Sequence, residues 1–204
     1  MLQQILQQAI TTAKLAGDFI RQERKGFDPG KVEYKGLNDM VSYVDKTAEK
    51  RIVSSLEKIL PEAGFITEEK TSERLAERYN WIIDPLARTT NFIHGLPAYS
   101  VSIALKEYHE LVLGVVYEVN LDECFYACKG SPAYLNGRQI QVSSRPKIAE
   151  SLIGTGFPYY DFNKQGAYMK LFTELMKSCH GLRRIGSAAG DLAYTACGRF
   201  EVFY

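Results

Sequence analysis

Acidic residues directly follow two short apolar runs, and they are the first candidates for chemistry in this chain. Glu68 and Glu69 follow Gly64-Phe65-Ile66-Thr67, and Asp84 follows Trp81-Ile82-Ile83. If the two runs form neighbouring strands, we expect their carboxylates to converge at one edge of a sheet. Hard cations such as Mg²⁺ bind oxygen ligands from one or two carboxylates and keep several waters. Alone, a Glu-Glu pair is more often a solvated loop, and an Asp-Pro step is usually a turn.

The residues after Asp84 add a second kind of chemistry. We expect Pro85 to stop the strand, and a polar cluster, Thr89-Thr90-Asn91, lies where a helix would begin. The first N–H groups of a helix are free to bind phosphate oxygens. Metal-dependent phosphate chemistry typically combines a carboxylate, which binds a divalent cation, with a helix start, whose N–H groups face anions.

The stretch that contains these residues resembles a family signature. Residues 81–92 read Trp-Ile-Ile-Asp-Pro-Leu-Ala-Arg-Thr-Thr-Asn-Phe. This is similar to the inositol monophosphatase family, which reads Trp-Ile-Ile-Asp-Pro-(apolar)-Asp-Gly-Thr-Thr-Asn-Phe. Two residues depart from the pattern, because Ala87 stands where the family has Asp and Arg88 where it has Gly. The resemblance implies a Mg²⁺-dependent phosphomonoesterase, and the departures predict a damaged site.

The resemblance also implies the metal ligands. Glu68, Asp84 and the carbonyl of Leu86 match the ligands of a first Mg²⁺. The Asp that matches Ala87 binds a second metal and touches the substrate. A later Asp, in a Trp-Asp-(x)-Ala-Ala-Gly motif, also binds a further metal in the family, and that motif is absent from these 204 residues. The second metal site therefore lacks both expected side-chain ligands.

Arg88 leaves two alternatives open. Only Gly lets the backbone approach a ligand closely or adopt left-handed angles at no cost. An Arg at this position could block the phosphate. Its guanidinium could instead bind the phosphate where a metal is missing.

A second family pattern precedes the first. Ser42 and Asp45 have the spacing of a capping box, and Asp45 in the first helical turn suits the helix dipole. By resemblance, Asp45 and Thr89 polarise the attacking water, because a Thr hydroxyl can donate to a carboxylate while it accepts from water. We count Asp45, Thr89 and Glu68 as the candidate catalytic residues. The residues that match this pattern are Lys35, Asp39, Val41, Ser42, Asp45 and Glu49.

Substrate contacts are expected from two helix starts. Thr89 and Thr90 would hold the phosphate, and Gly186, Ser187 and Ala188 match a family element whose backbone contacts substrate hydroxyls. Alone, Gly-Ser-Ala-Ala is a weak signal, and Ser187 as a plain helix N-cap is the simpler interpretation. Asp191 either faces the substrate or lies on the helix surface.

Hydrophobic periodicity predicts the elements that position these residues. Helices are expected near residues 2–20, 42–60 and 165–178, with a further small-residue helix after Ile185 that ends at Gly198. Strands are expected at 32–35, 64–66, 81–83 and 151–156, and an antiparallel meander at 99–106, 111–118 and 123–127. Asn136-Gly137 is a hairpin turn signal. We predict an α+β fold, which the resemblance specifies as a layered αβαβα sandwich.

The resemblance covers nearly the whole chain but lacks the C-terminal part of the family domain. Arg199 to Tyr204 stop inside an apolar strand, so the chain looks truncated. We assign residues 1–204 to one domain, in which 1–140 form the metal-binding part and 141–204 an incomplete second α/β part.

Composition excludes several classes. An apolar share of 46% with 24% charged residues is ordinary for a globular protein, and a net charge of +1 gives no footprint for nucleic acid or an anionic membrane. No apolar run reaches the ~20 residues of a membrane span, and no secretory signal begins the chain. The four Cys show no zinc or disulfide pattern, which favours a reduced cytoplasmic location. The resemblance implies a homodimer.

Several functions fit these observations. The first is Mg²⁺-dependent hydrolysis of inositol monophosphate, a small phosphorylated polyol, impaired by Ala87, Arg88 and the missing C-terminal motif. A related enzyme could act on a nucleotide or sugar bisphosphate. A non-catalytic family member that binds a protein or senses phosphate is favoured by the same two residues, and an altered or erroneous sequence of a working enzyme is a further alternative.

Overall fold

The computed structural model describes residues 1–28, 30, 32–36, 39–159 and 161–204, with the side chains of 34–36, 39 and 40 outside the description. The chain divides into two compact units, Met1–Gln139 and Ile140–Tyr204. The predicted roles of Lys35 and Asp39 concern side chains outside the described ones. The assignment of all 204 residues to one domain stays a prediction.

The first unit is built on a seven-stranded sheet with the order β3-β4-β5-β6-β7-β8-β9. Strands β3 and β4 run parallel, and every later neighbour is antiparallel, so the predicted meander is confirmed. A separate two-stranded hairpin, β1-β2, precedes α2. The strands are β1 (Val32–Gly36), β2 (Asp39–Ser42), β3 (Gly64–Thr67), β4 (Tyr79–Ala87), β5 (Ser100–Glu107), β6 (Glu110–Glu118), β7 (Glu123–Cys128), β8 (Tyr134–Leu135) and β9 (Arg138–Gln139).

Two long helices cover the sheet, α1 (Leu2–Arg24) and α2 (Tyr43–Ile59), and a short helix α3 (Thr89–His94) follows β4. The apolar residues of α1 and α2 recur at helical spacing, so each helix buries one stripe in the core. Ala9, Ala13, Ala48 and Ile52 are fully buried in that core. Helix α2 also packs on β4, and its first turn, which holds Asp45, lies near the end of that strand.

Strand β4 extends further than the sequence predicts. The expectation that Pro85 stops it is wrong, because β4 continues to Ala87. Its pairing with β5 is irregular between Asp84 and Ala87, where Pro85 lies. Proline cannot donate to a sheet ladder and is tolerated at such irregular or edge positions. The strand β3 that flanks β4 on the other side ends at Thr67, so the end of β4 has an open side.

The turn prediction at Asn136-Gly137 is confirmed. The two residues join β8 and β9 with φ angles of 47° and 83°. Positive φ at both central residues is the geometry that the Asn-Gly dipeptide favours in hairpins.

The second unit holds a small parallel sheet with the order β11-β10-β12. Helix α4 has no fully buried residue, although its predicted range is confirmed. The predicted strand at 151–156 is shorter than expected. The elements are β10 (Leu152–Gly154), α4 (Gln165–Ser178), β11 (Gly181–Arg183), α5 (Ala188–Ala196) and β12 (Val202–Phe203).

Candidate active site

Parallel pairing brings the first two acidic candidates together. Thr67 lies opposite Ile83, and the Glu68 N–H, just past the end of β3, lies 3.3 Å from the Ile83 carbonyl. Asp84 is the next residue of β4, so the predicted convergence of the strand ends is confirmed for these two residues. Glu68 is exposed and Asp84 is partly buried.

The two carboxyl groups are close enough to perturb each other. Burial first, then the charge of Glu68 and a hydrogen bond shared with it, raise the pKa of Asp84 from 3.8 to about 8. Two carboxylates this close repel each other when both are ionised, and a bound cation would relieve that repulsion. The chemistry of this pair therefore fits a hard cation that keeps several waters.

The last residues of β4 add a backbone carbonyl close to Asp84. The Leu86 N–H donates to Asp84 Oδ1 at 3.2 Å, which holds the carboxylate against the end of the strand. The Leu86 carbonyl lies 3.3 Å from Thr89 Oγ1. The Thr89 hydroxyl thus lies between the Leu86 carbonyl and the carboxylate of the next candidate residue, Asp45.

Asp45 and Thr89 meet although they are 44 residues apart in sequence. Thr89 Oγ1 donates to Asp45 Oδ1 at 2.6 Å. The other oxygen, Asp45 Oδ2, accepts from the N–H of Ser42 at 2.9 Å and from its hydroxyl at 2.6 Å, and this confirms the capping box of α2. Asp45 is only 1% exposed. Burial raises its pKa, while the hydrogen bonds from Ser42 and Thr89 oppose that shift.

Glu49 holds the loop that carries Glu68, a role that the sequence did not indicate. Its carboxylate is fully buried and accepts from the N–H of Glu69 at 2.8 Å and from the N–H and hydroxyl of Thr71 at 3.0 and 2.8 Å. The available signal was its spacing, because Glu49 lies one helical turn after Asp45 on the inward face of α2. An acid on that face needs hydrogen-bond donors when it is buried.

The two departures from the family signature lie beside this cluster. Ala87 ends β4 and is buried at 8% exposure. Arg88 has φ 86° and ψ 57°, the left-handed conformation that favours glycine, and it precedes α3 as its N-cap residue. Its Nε is buried and has no hydrogen-bond partner within the described part of the chain.

The remaining candidates lie at two helix starts, as expected. Thr90 is half-buried in the first turn of α3. Ser187 caps α5, where its hydroxyl accepts from the Gly190 N–H at 3.3 Å; Gly186 precedes it with φ 103°, and Ala188 is the first helical residue. These three belong to the second unit. Asp191 is 2% exposed, so its interpretation as helix surface is wrong.

Within the described ranges, no group of three or more His, Cys, Asp or Glu side chains could hold a metal ion. The four Cys are free thiols in this structure. Glu68, Asp84 and the Leu86 carbonyl offer oxygen donors for one cation, and Ala87 offers none from its side chain.

Comparison with known proteins decides the family. The family model described as "Inositol monophosphatase family" matches residues 1–204. The chain belongs to the inositol monophosphatase family. The α+β layered fold predicted for this family is confirmed, since the suhB protein of Bartonella henselae has the same fold with a TM-score of 0.90, at 37% identity over 96% of this chain and 76% of that one.

Curated relatives of this inositol monophosphatase family member carry two kinds of name. One is the inositol-1-monophosphatase of Mesorhizobium japonicum, 40% identical over 85% of this chain and 65% of the relative. Another is the Nus factor SuhB of Pseudomonas aeruginosa, 40% identical over the full chain and 77% of the relative. The chain thus spans less than two thirds of the first relative. One name denotes an enzyme and the other a factor.

Proposed function

We propose that this chain carries a Mg²⁺-dependent phosphomonoesterase site for small phosphorylated polyols, with inositol monophosphate as the first candidate substrate. The observation that supports this most is the hydrogen bond from Thr89 to Asp45, next to the Leu86 carbonyl and the Asp84–Glu68 pair. Glu68, Asp84 and the Leu86 carbonyl are the proposed ligands of one Mg²⁺. Thr89 and Thr90 are the proposed phosphate contacts, and Gly186, Ser187 and Ala188 the proposed contacts to the polyol.

Asp45 and Thr89 move the proton in the proposed reaction. A Mg²⁺ bound beside them would supply positive charge and lower the pKa of a nearby water. Thr89 passes its hydroxyl proton to Asp45 as it takes a proton from the attacking water. The water oxygen then forms the new bond to phosphorus, the ester P–O bond breaks, and the alcohol oxygen is protonated from solvent. Burial raises the pKa of Asp45, and this makes its carboxylate a better base.

We expect hydrolysis at this site to be slow. Ala87 cannot provide the carboxylate that the family uses for its second metal, so stabilisation of the leaving oxygen is weakened. Losing one well-placed electrostatic stabiliser typically costs ~10²–10³ in rate. We therefore expect very weak hydrolysis of inositol 1-phosphate by this chain.

A phosphate-release assay across a Mg²⁺ titration tests the proposal. The unaltered chain is compared with Asp84→Asn, which sets the background, and with the double variant Ala87→Asp, Arg88→Gly. We expect weak Mg²⁺-dependent release that Asp84→Asn abolishes. The double variant should gain only modestly, because the family's Trp-Asp-(x)-Ala-Ala-Gly motif is not in this sequence.

A non-catalytic member of the family is the second candidate. It is favoured by the buried apolar side chain of Ala87 and by relatives named Nus factor SuhB. If neither the unaltered chain nor the double variant exceeds the Asp84→Asn background, this candidate replaces the enzyme. A panel that adds nucleotide and sugar bisphosphates tests the alternative substrate classes in the same assay.

The cellular location, oligomeric state and partners of this protein stay predictions. None of the described helices combines the length and apolar character that crossing a lipid bilayer needs. A cytoplasmic location, which the cysteine pattern favours, and a homodimer, which the family resemblance implies, are proposals. The expectation that no nucleic acid takes part gains no support from relatives that are named as Nus factors.

A further inference from the structure

Arg88 carries two energetic costs at one position. Its backbone has φ 86°, a conformation that is unfavourable for residues with a Cβ. Its Nε is buried without a hydrogen-bond acceptor in the described part of the chain. A donor left in this state loses its hydration without replacement. Strained and unsatisfied residues persist where the surrounding fold imposes them, and they cluster at ligand sites.

Four other arginines of the same unit have partners for their guanidinium groups. Arg21 donates to Asp18 and Tyr117, Arg74 pairs with Glu57 at 3.4 Å, and Arg78 pairs with Glu107 at 2.8 Å. Arg51 lies over the Phe19 ring at 3.9 Å. Among the described residues, the Arg88 guanidinium has no hydrogen bond, ion pair or aromatic ring of this kind. A ligand that accepts from the buried Nε would remove the cost of leaving this donor unpaired.

The residues around Arg88 indicate which kind of ligand its guanidinium suits. Ala87, before it, has no charge, and Thr89, after it, bonds to Asp45. The site contains three acids that are negative when ionised, Asp45, Glu68 and Asp84. One divalent cation does not balance three negative charges, so an anionic ligand needs further positive charge. A guanidinium presents planar paired donors that match phosphate oxygens.

We propose that the Arg88 guanidinium binds a phosphate oxygen at this site and supplies positive charge in place of a second metal, for which Ala87 offers no carboxylate. The proposal rests on the proposed function, because it names a ligand of the same phosphate. It decides between the two alternatives that the sequence left open, since a blocking Arg would weaken phosphate binding. Arg88 would then bind phosphate at a position where the family pattern has Gly.

The test is direct binding of inorganic phosphate at constant ionic strength, followed by calorimetry, once in Mg²⁺ and once in EDTA. The variants are Arg88→Gly, which suits the positive φ, and Arg88→Lys, which keeps the charge but loses the planar donors. Lys58→Ala is the control, since Lys58 is basic and exposed in the last turn of α2. We expect Arg88→Gly to bind phosphate about tenfold to a hundredfold more weakly. Arg88→Lys should be intermediate and Lys58→Ala unchanged.

The outcomes separate this proposal from the proposed function. Equal or tighter phosphate binding by Arg88→Gly overturns the role of Arg88 and leaves the metal site standing. An equal loss in Lys58→Ala also overturns it, because general charge would then explain the effect. Weaker phosphate binding by Arg88→Gly but not by the control variant, in both Mg²⁺ and EDTA, supports the proposal even if no hydrolysis is found. No phosphate binding by the unaltered chain under either condition overturns both. Thermal melting confirms that each variant is folded.

Discussion

Replacing Asp84 with Asn is expected to stabilise the metal-free protein at neutral pH. The pKa of Asp84 rises from 3.8 to about 8 because of burial, the charge of Glu68 and their shared hydrogen bond. At neutral pH the folded state must therefore hold a proton that the unfolded chain releases. Asn is neutral in both states and carries no such penalty.

The magnitude follows from linkage between proton binding and folding. Between about pH 4 and pH 8 the folded protein binds the Asp84 proton and the unfolded chain does not, so stability falls as pH rises through this window. One pH unit corresponds to roughly 1.4 kcal/mol per proton. From pH 5 to pH 7 the contribution of Asp84 to the free energy of unfolding should fall by at most about 2–3 kcal/mol.

Urea denaturation in EDTA at pH 5, 6, 7 and 8 measures this effect. The difference in unfolding free energy between Asp84→Asn and the unaltered protein should shift in favour of the variant as pH rises. Glu62→Gln is the control, since Glu62 is exposed. At pH 7, Mg²⁺ should stabilise the unaltered protein and leave Asp84→Asn unchanged, because only a ligand bound to the native state shifts folding. A difference that does not vary with pH would refute the reasoning.

Three further outcomes are expected. Arg88→Gly should raise the free energy of unfolding by about 1 kcal/mol, since φ 86° suits glycine, and an unchanged or lower melting temperature would contradict this. Glu49→Gln should lower the free energy of unfolding by roughly 1–3 kcal/mol, because the donors of Glu69 and Thr71 lose a charged acceptor. The same variant should bind Mg²⁺ more weakly, and equal Mg²⁺ affinity would show that the loop does not position Glu68. Thr89→Val should remove the hydrogen bond to Asp45 and abolish residual phosphate release, whereas Thr89→Ser should keep both; equal release by the Val and Ser variants would exclude the proton relay.

Local patterns predicted most of the fold. The meander and α4 follow from alternation and helical spacing, and Asn136-Gly137 from the φ angles that its hairpin requires. Pro85 was misjudged because the prediction treated proline as a strand stop. The lost N–H is tolerated in β4, since β3 has already ended and the pairing with β5 is irregular there.

The site was predicted from two different sources. Convergence of Glu68 and Asp84 follows from parallel strands that end at the same edge. The contact between Asp45 and Thr89 joins residues 44 positions apart, and only family resemblance suggested it. The anchoring role of Glu49 depends on backbone donors of a loop whose path has no sequence pattern. The position of Asp191 was left open for a similar reason, because a small-residue helix has no clear polar face, and its burial excludes only the helix surface.

Calorimetric titration with Mg²⁺ tests the metal site most directly, independently of any substrate. The unaltered protein should bind Mg²⁺ at one site, since Glu68, Asp84 and the Leu86 carbonyl offer donors for one cation. Asp84→Asn should abolish the binding, because it removes a ligand charge, and Glu62→Gln should preserve it. Equal Mg²⁺ binding by Asp84→Asn and the unaltered protein would contradict the account.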